Sequence, residues 1–222
     1  NSNLNNLVTL QAGGAVTQTG AITTEQLRLI GGTGNYTLNN AGNAIRQLAA
    51  DVTQLDLFSD RELRLVNLGG TVGVRAATGD IILDVNNADR IVTEENINTA
   101  GGSIEVQDEL FLADDTVIDT GGGTGNVTLA DTLDGDFLLS VSAGAGNVAY
   151  NGNVGGGTPL SGLDVTTTGD STFGGSVAVD DQDLSVTSGA IDFASTITST
   201  NAGDVSLNNS GLLSLSDDIN SA

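Results

Sequence analysis

The chain repeats one short pattern: a glycine-rich bend, a small polar residue, and then two apolar residues separated by one other residue. The copies are GGTGNYTL (31–38), ATGDIIL (77–83), AGGSIEV (100–106), GGTGNVTL (122–129), GAGNVAY (144–150) and NAGDVSL (201–207). A unit that recurs at a regular distance is typical of repeat proteins, in which each unit packs against its neighbours. This repeat constrains the fold more than any other feature of the sequence.

The polar residue after each bend measures the length of the unit. It recurs at intervals of 23, 23 and 21 residues, at Asp80, Ser103, Asn126 and Asn147. Asn35 lies 45 residues before Asp80, which corresponds to two units. The repeats are best defined over 80–150, and we expect a loop insertion in the Gly- and Pro-containing stretch 151–162.

Alternating apolar residues follow each bend and indicate short β-strands with one face in a core. The apolar pairs taken as equivalent are Tyr36/Leu38, Ile81/Leu83, Ile104/Val106, Val127/Leu129, Val148/Tyr150 and Val205/Leu207. Stacking these pairs predicts an all-β fold, a parallel β-helix (β-solenoid) with coils of roughly 20–23 residues, over a single segment 1–222. The handedness of parallel crossovers favours a right-handed coil.

Two alternatives stay open at this point. A β-sandwich or barrel also has short strands with frequent turns, although the hairpin dipeptide Asn-Gly occurs only at Asn151-Gly152. The stretch 41–57 has helical spacing at Ile45, Leu48 and Val52, but it also fits two strands. We favour the solenoid and the two strands.

The charge of the chain restricts its partners. Its net charge is −22, and its six arginines all precede Ile91, whereas 20 acidic residues follow that position. Such a surface repels nucleic acids and anionic lipids. No apolar run reaches the roughly 20 residues of a membrane helix, so we expect neither nucleic-acid binding nor membrane insertion. No basic-then-apolar stretch typical of a secretion leader is visible at Asn1, and we expect the chain to be part of a longer polypeptide.

The residue types present in the chain disfavour most kinds of catalytic site. Histidine and cysteine are absent, which removes the usual bases, nucleophiles and zinc ligands. A carboxylate-only sugar-cleaving site would need paired acids, for which the candidates are Asp114/Asp115, Asp134/Asp136 and Asp180/Asp181/Asp183. Solvated loop acids are the better explanation of each group, and we therefore predict no catalytic residue and no cofactor.

Calcium is the metal that best suits clustered carboxylates. The calcium-binding nonapeptide GGxGxDxUx is approached by GGTGNVTLA at 122–130, but Val127 occupies the position of the liganding Asp, as Tyr36 does in the first copy. A calcium β-roll is therefore not expected. The candidates for loose surface calcium sites are Asp131, Asp134, Asp136, Asp180, Asp181 and Asp183.

The runs AGGAVTQTGAITTEQLRLIGGTGNYTLNNAGNAI (12–45) and GGTGNVTLADTLDGD (122–136) resemble the repeats of filamentous-haemagglutinin-like exoproteins. These are two-partner-secreted or autotransported surface proteins of Gram-negative bacteria. The resemblance implies a β-helical shaft that is secreted or displayed at the outer surface, with roles in adhesion, biofilm or filament formation.

The function expected from these observations is a non-catalytic shaft of a bacterial surface adhesin or extracellular filament. Its partners would be a receptor or glycan on a host or neighbouring cell, with self-association into fibres as a further possibility. The alternatives are a secreted β-helical protein that binds or cleaves polysaccharide, and a calcium-dependent surface-layer or sheath component.

Overall fold

The computed structural model describes residues 6–201 and 203–221. The described residues form strands, turns and bends without a helix, and almost all of the strand pairing is parallel. This confirms the predicted β-solenoid for the described part of the segment 1–222. The outermost residues of that segment, and Ala202 of the predicted unit 201–207, lie outside the described residues.

The strands are short and follow one another along the whole described chain. In order, they are β1 (Leu7–Gln11), β2 (Val16–Thr17), β3 (Thr23–Ile30), β4 (Asn35–Leu38), β5 (Ala44–Val52), β6 (Gln54–Ser59), β7 (Leu63–Leu65), β8 (Asn67–Leu68), β9 (Thr71–Val72), β10 (Val74–Ala76), β11 (Ile81–Val85), β12 (Ile91–Thr93), β13 (Ile97–Thr99), β14 (Ile104–Val106), β15 (Leu110–Leu112), β16 (Thr116–Asp119), β17 (Val127–Leu129), β18 (Leu133–Asp134), β19 (Leu138–Ser142), β20 (Val148–Tyr150), β21 (Gly162–Thr166), β22 (Ser171–Phe173), β23 (Val177–Asp180), β24 (Leu184–Ser188), β25 (Ile191–Phe193), β26 (Ile197–Thr200), β27 (Val205–Asn209), β28 (Leu213–Leu215) and β29 (Ile219–Ser221).

The coils stack these strands into three faces. The first face contains, in order, β1, β3, β5, β10, β13, β16, β19, β21, β24 and β27. The second face is a ten-stranded sheet of β2, β4, β6, β11, β14, β17, β20, β22, β25 and β28. The third face contains β7, β12, β15 and β18, and continues through Val154 to β23, β26 and β29.

The register of the second face measures the coil directly. Successive partners are offset by 19 residues at the shortest, from Tyr36 to Leu55, and by 26 at the longest, from Leu55 to Ile81. The other offsets lie between 20 and 23 residues. The structure therefore has about ten coils of roughly 21 residues, in agreement with the predicted length.

The core is a stack of equivalent apolar positions. The predicted pairs on β4, β11, β14, β17 and β20 are buried, and Ile81, Ile104, Val127 and Val148 are consecutive partners in the second face. The residue between each pair faces outward and is half-buried. Burying the paired positions on every coil removes a continuous apolar strip from water, which is the main stabilising contribution in a fold of this kind.

One predicted equivalence is wrong. Val205 and Leu207 belong to the first face, where they pair with Leu184 and Val186. The second-face ladder instead continues from Val148 through Ser171, Ile191 and Leu213. NAGDVSL resembles the other copies because it also contains a bend. This bend lies at another corner of the coil, where glycine and a polar residue form the same kind of turn.

The stretch 41–57 consists of strands, as favoured above. β5 bends across two faces, because Gln47 and Leu48 pair with β7 whereas 50–52 pair with β10. Buried Ile45, Leu48 and Val52 all contribute to the core. The spacing that imitated a helix therefore arises from one strand that turns a corner.

Two segments depart from the coil. β8 and β9 form an antiparallel hairpin whose loop residues Gly69 and Gly70 have φ of 57° and 88°, values that suit a two-residue hairpin turn. The hairpin lengthens the 26-residue coil and was not predicted. Asn151-Gly152, the only Asn-Gly dipeptide of the chain, lies at a corner instead. In 151–162, Val154 and Leu160 bridge to Val177 and Val179 on the next coil, and 155–159 lies between these bridges outside the ladder.

Candidate functional site

A column of polar side chains follows the corner that leads into the second face. Oδ1 of Asp80 accepts a 2.7 Å hydrogen bond from the backbone N of Ser103, and Oγ of Ser103 accepts one of 3.1 Å from the backbone N of Asn126. The pattern continues through Asn147 to Asp170, with distances of 2.8 and 2.9 Å. The register-marking residues therefore join successive coils, which is a structural role.

The first group of predicted calcium candidates is tied to the backbone. Oδ1 of Asp134 accepts hydrogen bonds of 2.7 and 2.9 Å from the backbone N atoms of Gly157 and Thr158. Asp131 Oδ1 accepts one of 2.7 Å from the backbone N of the following residue, and Asp136 is exposed. Asp131 and Asp134 therefore bind backbone N–H groups, whereas Asp136 faces solvent.

The second group is partly brought together. A groove of about 420 Å³ is lined by Asp164, Asp181 and Asp183, with Leu138, Gln182 and Ser185 completing its wall. Sequence analysis did not find Asp164, because it lies on β21 in the preceding coil. Asp180 is not part of the lining, since its Oδ1 accepts hydrogen bonds of 2.6 Å from Thr200 and from Asn201.

The remaining acidic pair, Asp114 and Asp115, also accepts hydrogen bonds from the backbone. Oδ1 of Asp114 accepts a 2.8 Å hydrogen bond from the backbone N of Asp115, and Asp115 Oδ1 accepts one of 3.0 Å from Leu138 on the next coil. Within 6–201 and 203–221, no three acidic side chains are grouped closely enough to hold a metal ion. The geometry there does not bring the six calcium candidates together as a metal site.

Two of the arginines, Arg64 and Arg90, form ion pairs on the third face. Nε of Arg90 lies 3.3 Å from Glu62 and its NH1 lies 3.8 Å from Glu109, and its guanidinium lies 4.4 Å above the ring of Phe111. Arg64 also contacts Glu62, at 3.7 Å. Because these side chains are more than one-third exposed, each pair stabilises the fold only slightly.

Two acids that the sequence analysis did not name lie close together on successive coils. Asp84 is on β11, and Asp108, which follows β14 in the next coil, accepts a 2.8 Å hydrogen bond through Oδ2 from the backbone N of Val85. Burial, together with the proximity and negative charge of Asp108, raises the pKa of Asp84 to about 6. Their separation of 24 residues is close to one coil, so the period of the repeat was the available signal.

The inside of the coil contains hydroxyl groups as well as apolar side chains. Burial, with a further contribution from the charge of Asp164, raises the pKa of the Tyr150 phenol, so this group stays neutral. Among the described side chains, the buried hydroxyls of Thr120, Tyr150 and Ser171 have no hydrogen-bond partner. They lie in the core and not at an accessible cleft.

Comparison with protein-family models, with curated proteins and with solved structures finds no match to this chain. Within the part of the chain that the structure describes, no helix is long and apolar enough to cross a membrane.

Proposed function

We propose that this chain is a shaft segment of a bacterial cell-surface adhesin or extracellular filament, as the resemblance to filamentous-haemagglutinin-like exoproteins suggests. The observation that supports the proposal is the uninterrupted parallel register of the ten-stranded second face. Adjacent strands lie ~4.8 Å apart, so ten coils span roughly 45–50 Å. A rod with hydrogen bonds along its whole length holds a binding end at a distance from the cell.

The acidic surface supports the same proposal. From Ile91 onward the sequence has 20 acidic residues and no basic one, and most of the strand-face acids, such as Asp164 and Asp192, point outward. Like charges on neighbouring rods repel one another, which keeps the shafts soluble and laterally separate. The receptor or glycan on another cell is then bound beyond the shaft.

The location can be tested on the bacterium that makes this chain. Antibodies raised against the purified chain should label intact cells or the culture medium, and deletion of the parent gene should reduce attachment to surfaces or other cells. Labelling that requires permeabilised cells would contradict the surface location. Unchanged attachment after deletion would contradict the adhesive role.

The acid-lined groove at Asp164, Asp181 and Asp183 favours a second candidate, a secreted protein that binds or cleaves polysaccharide. Release of reducing sugar from bacterial and plant polysaccharides tests this directly. Release that is lost in both Asp164→Asn and Asp183→Asn, but retained in Asp192→Asn, would replace the shaft proposal. Asp192 is an appropriate control because it is exposed on β25, in the second face, whereas the groove is lined from the first.

A further inference from the structure

Two of the five phenylalanines face outward. Phe173 and Phe193 are buried in the core, and Phe137 packs against it. Phe58 of β6 and Phe111 of β15 each lie between two buried neighbours on their strands. Because side chains alternate along a strand, the rings of these two residues lie on the outer side of the second and third faces.

The outward ring on the third face is covered by an arginine of the chain itself. The guanidinium of Arg90 lies 4.4 Å from the centroid of the Phe111 ring, and its Nε lies 3.3 Å from the carboxylate of Glu62. A planar guanidinium can stack on a ring and donate to carboxylates at the same time. The third face therefore shows which group this chain places on an outward ring that is flanked by carboxylates.

The outward ring on the second face is also flanked by carboxylates. Asp84 is the partner of Phe58 on the next coil, where neighbouring strands lie about 4.8 Å apart. Asp56 precedes Phe58 by two residues and lies on the same side of β6. Ile82 faces outward between its two partners, Asp56 and Glu105. These five residues form the second-face patch.

The second-face patch has no cation among the residues that the structure describes. None of the ion pairs found there involves its three acids. Arg61, at the bend after β6, is exposed and takes part in none of these pairs. Asp56 is bound by an amide instead, since Nδ2 of Asn39 donates a 2.8 Å hydrogen bond to its Oδ2. The patch thus resembles the site of Arg90 without the arginine.

We propose that the second-face patch binds an arginine side chain of a partner protein, with the guanidinium stacked on Phe58 and donating hydrogen bonds to Asp56 and Asp84. The negative charge of the patch and of the chain favours a basic segment over a neutral or acidic one. Arginine suits the site better than lysine, because a compact ammonium group cannot stack on the ring. The contact lies on the side of the solenoid, so it goes beyond the proposed shaft function and does not depend on it.

The test titrates the ¹⁵N-labelled full chain with the peptide acetyl-Gly-Arg-Gly-amide, at an ionic strength of about 0.15 M to screen diffuse attraction. The matched control peptide has citrulline, an uncharged analogue, in place of arginine. We expect the arginine peptide to shift the backbone amide resonances of 56–58 and 82–84 in a saturable manner, and the citrulline peptide to leave them unchanged. Shifts spread evenly over all acidic coils, or equal shifts with both peptides, would overturn the proposal.

Three variants separate the ring from the charge. Phe58→Leu keeps the net charge and removes the ring, and we expect it to weaken binding of the arginine peptide about fivefold. Asp56→Asn and Asp192→Asn each remove one outward charge from the second face, but Asp192 lies on the distant strand β25. Asp56→Asn should weaken binding about threefold and Asp192→Asn hardly at all. Unchanged binding in Phe58→Leu, or equal weakening in the two asparagine variants, would overturn the proposal.

The same spectra distinguish two other occupants of the second-face patch. Shifts of its resonances when the chain alone is concentrated would assign the patch to a second copy of the chain. Shifts caused by the neutral sugar maltotetraose, but not by the arginine peptide, would assign it to a glycan. Either result would overturn the proposal, and neither measurement depends on whether Phe58→Leu folds.

Discussion

At the residue scale, the two tyrosines of the chain differ in whether the hydroxyl inside the coil has a hydrogen-bond partner. The hydroxyl of Tyr36 lies 2.9 Å from the carbonyl oxygen of Ile30 and 3.2 Å from that of Leu10. The ring of Tyr150 stacks on Phe173 with centroids 4.8 Å apart, but its buried hydroxyl has no partner. A buried hydroxyl without a hydrogen bond destabilises a fold, whereas a bonded one stabilises it.

The two tyrosines should therefore respond oppositely to loss of the hydroxyl. We expect Tyr150→Phe to raise the free energy of unfolding by about 1 kcal/mol, because it removes an unpartnered polar group and keeps the ring stack. Tyr36→Phe should lower it by about 1 kcal/mol. Urea unfolding monitored by circular dichroism measures both, and a loss of stability in Tyr150→Phe would show that its hydroxyl is bonded, for example to a buried water.

At the scale of the element, the glycine-rich bend combines two different requirements. The first glycine of several bends has positive φ, as at Gly121 (72°) and Gly144 (54°), where other residues are strained. A later glycine has ordinary φ but lies directly against the backbone of the coil below. A Cβ on Gly146 would overlap the carbonyl oxygen of Gly125, and a Cβ on Gly125 would overlap that of Gly102.

The second requirement can be tested with an alanine at two glycines that both lack positive φ. Gly146→Ala should reduce the free energy of unfolding by more than about 2 kcal/mol, because the rigid backbone of the adjoining coil must move. Gly122→Ala should change it by less than about 0.5 kcal/mol, since a Cβ there would contact nothing within 4 Å. Equal effects in thermal unfolding would show that the corners are more adaptable than the structure indicates.

At the scale of the whole molecule, each coil contacts mainly the coils before and after it. Stability in such an array is approximately a sum of coil and interface contributions. The distribution of charge is less uniform, because all six arginines precede Ile91 and the ion pairs among the described residues extend no further than Glu109, whereas the later coils have acidic side chains and no basic ones. The later coils should accordingly gain more stability from added salt, which screens like charges.

This modular architecture predicts which deletions the chain tolerates. Removal of 127–170 takes away two coils, because Val127, Val148 and Ser171 are successive partners in the second face. We expect that variant to fold as a rod about 10 Å shorter. Removal of 127–160 should prevent folding of the later coils, since it joins positions from different faces. Circular dichroism and small-angle X-ray scattering distinguish these outcomes, and equal behaviour of the two deletions would contradict the register.

The sequence by itself determined the class of fold and most of the core. Alternation of apolar residues at Ile81, Ile104, Val127 and Val148 identified the inward positions, and their spacing identified the coil, because both are local properties of a strand and its repeat. The candidate acids were harder to interpret. Local spacing does not show whether a carboxylate meets another carboxylate or a backbone N–H group of the next coil.

Tertiary structure decided everything that depends on contacts between coils. It placed Val205 on the first face, brought Asp108 to the backbone of Val85, and added Asp164 to the groove of Asp181 and Asp183. The physical reason is the length of the coil, which brings together residues about 21 positions apart in the chain. A shift of a few residues at any corner changes those neighbours while leaving the alternation within each strand intact.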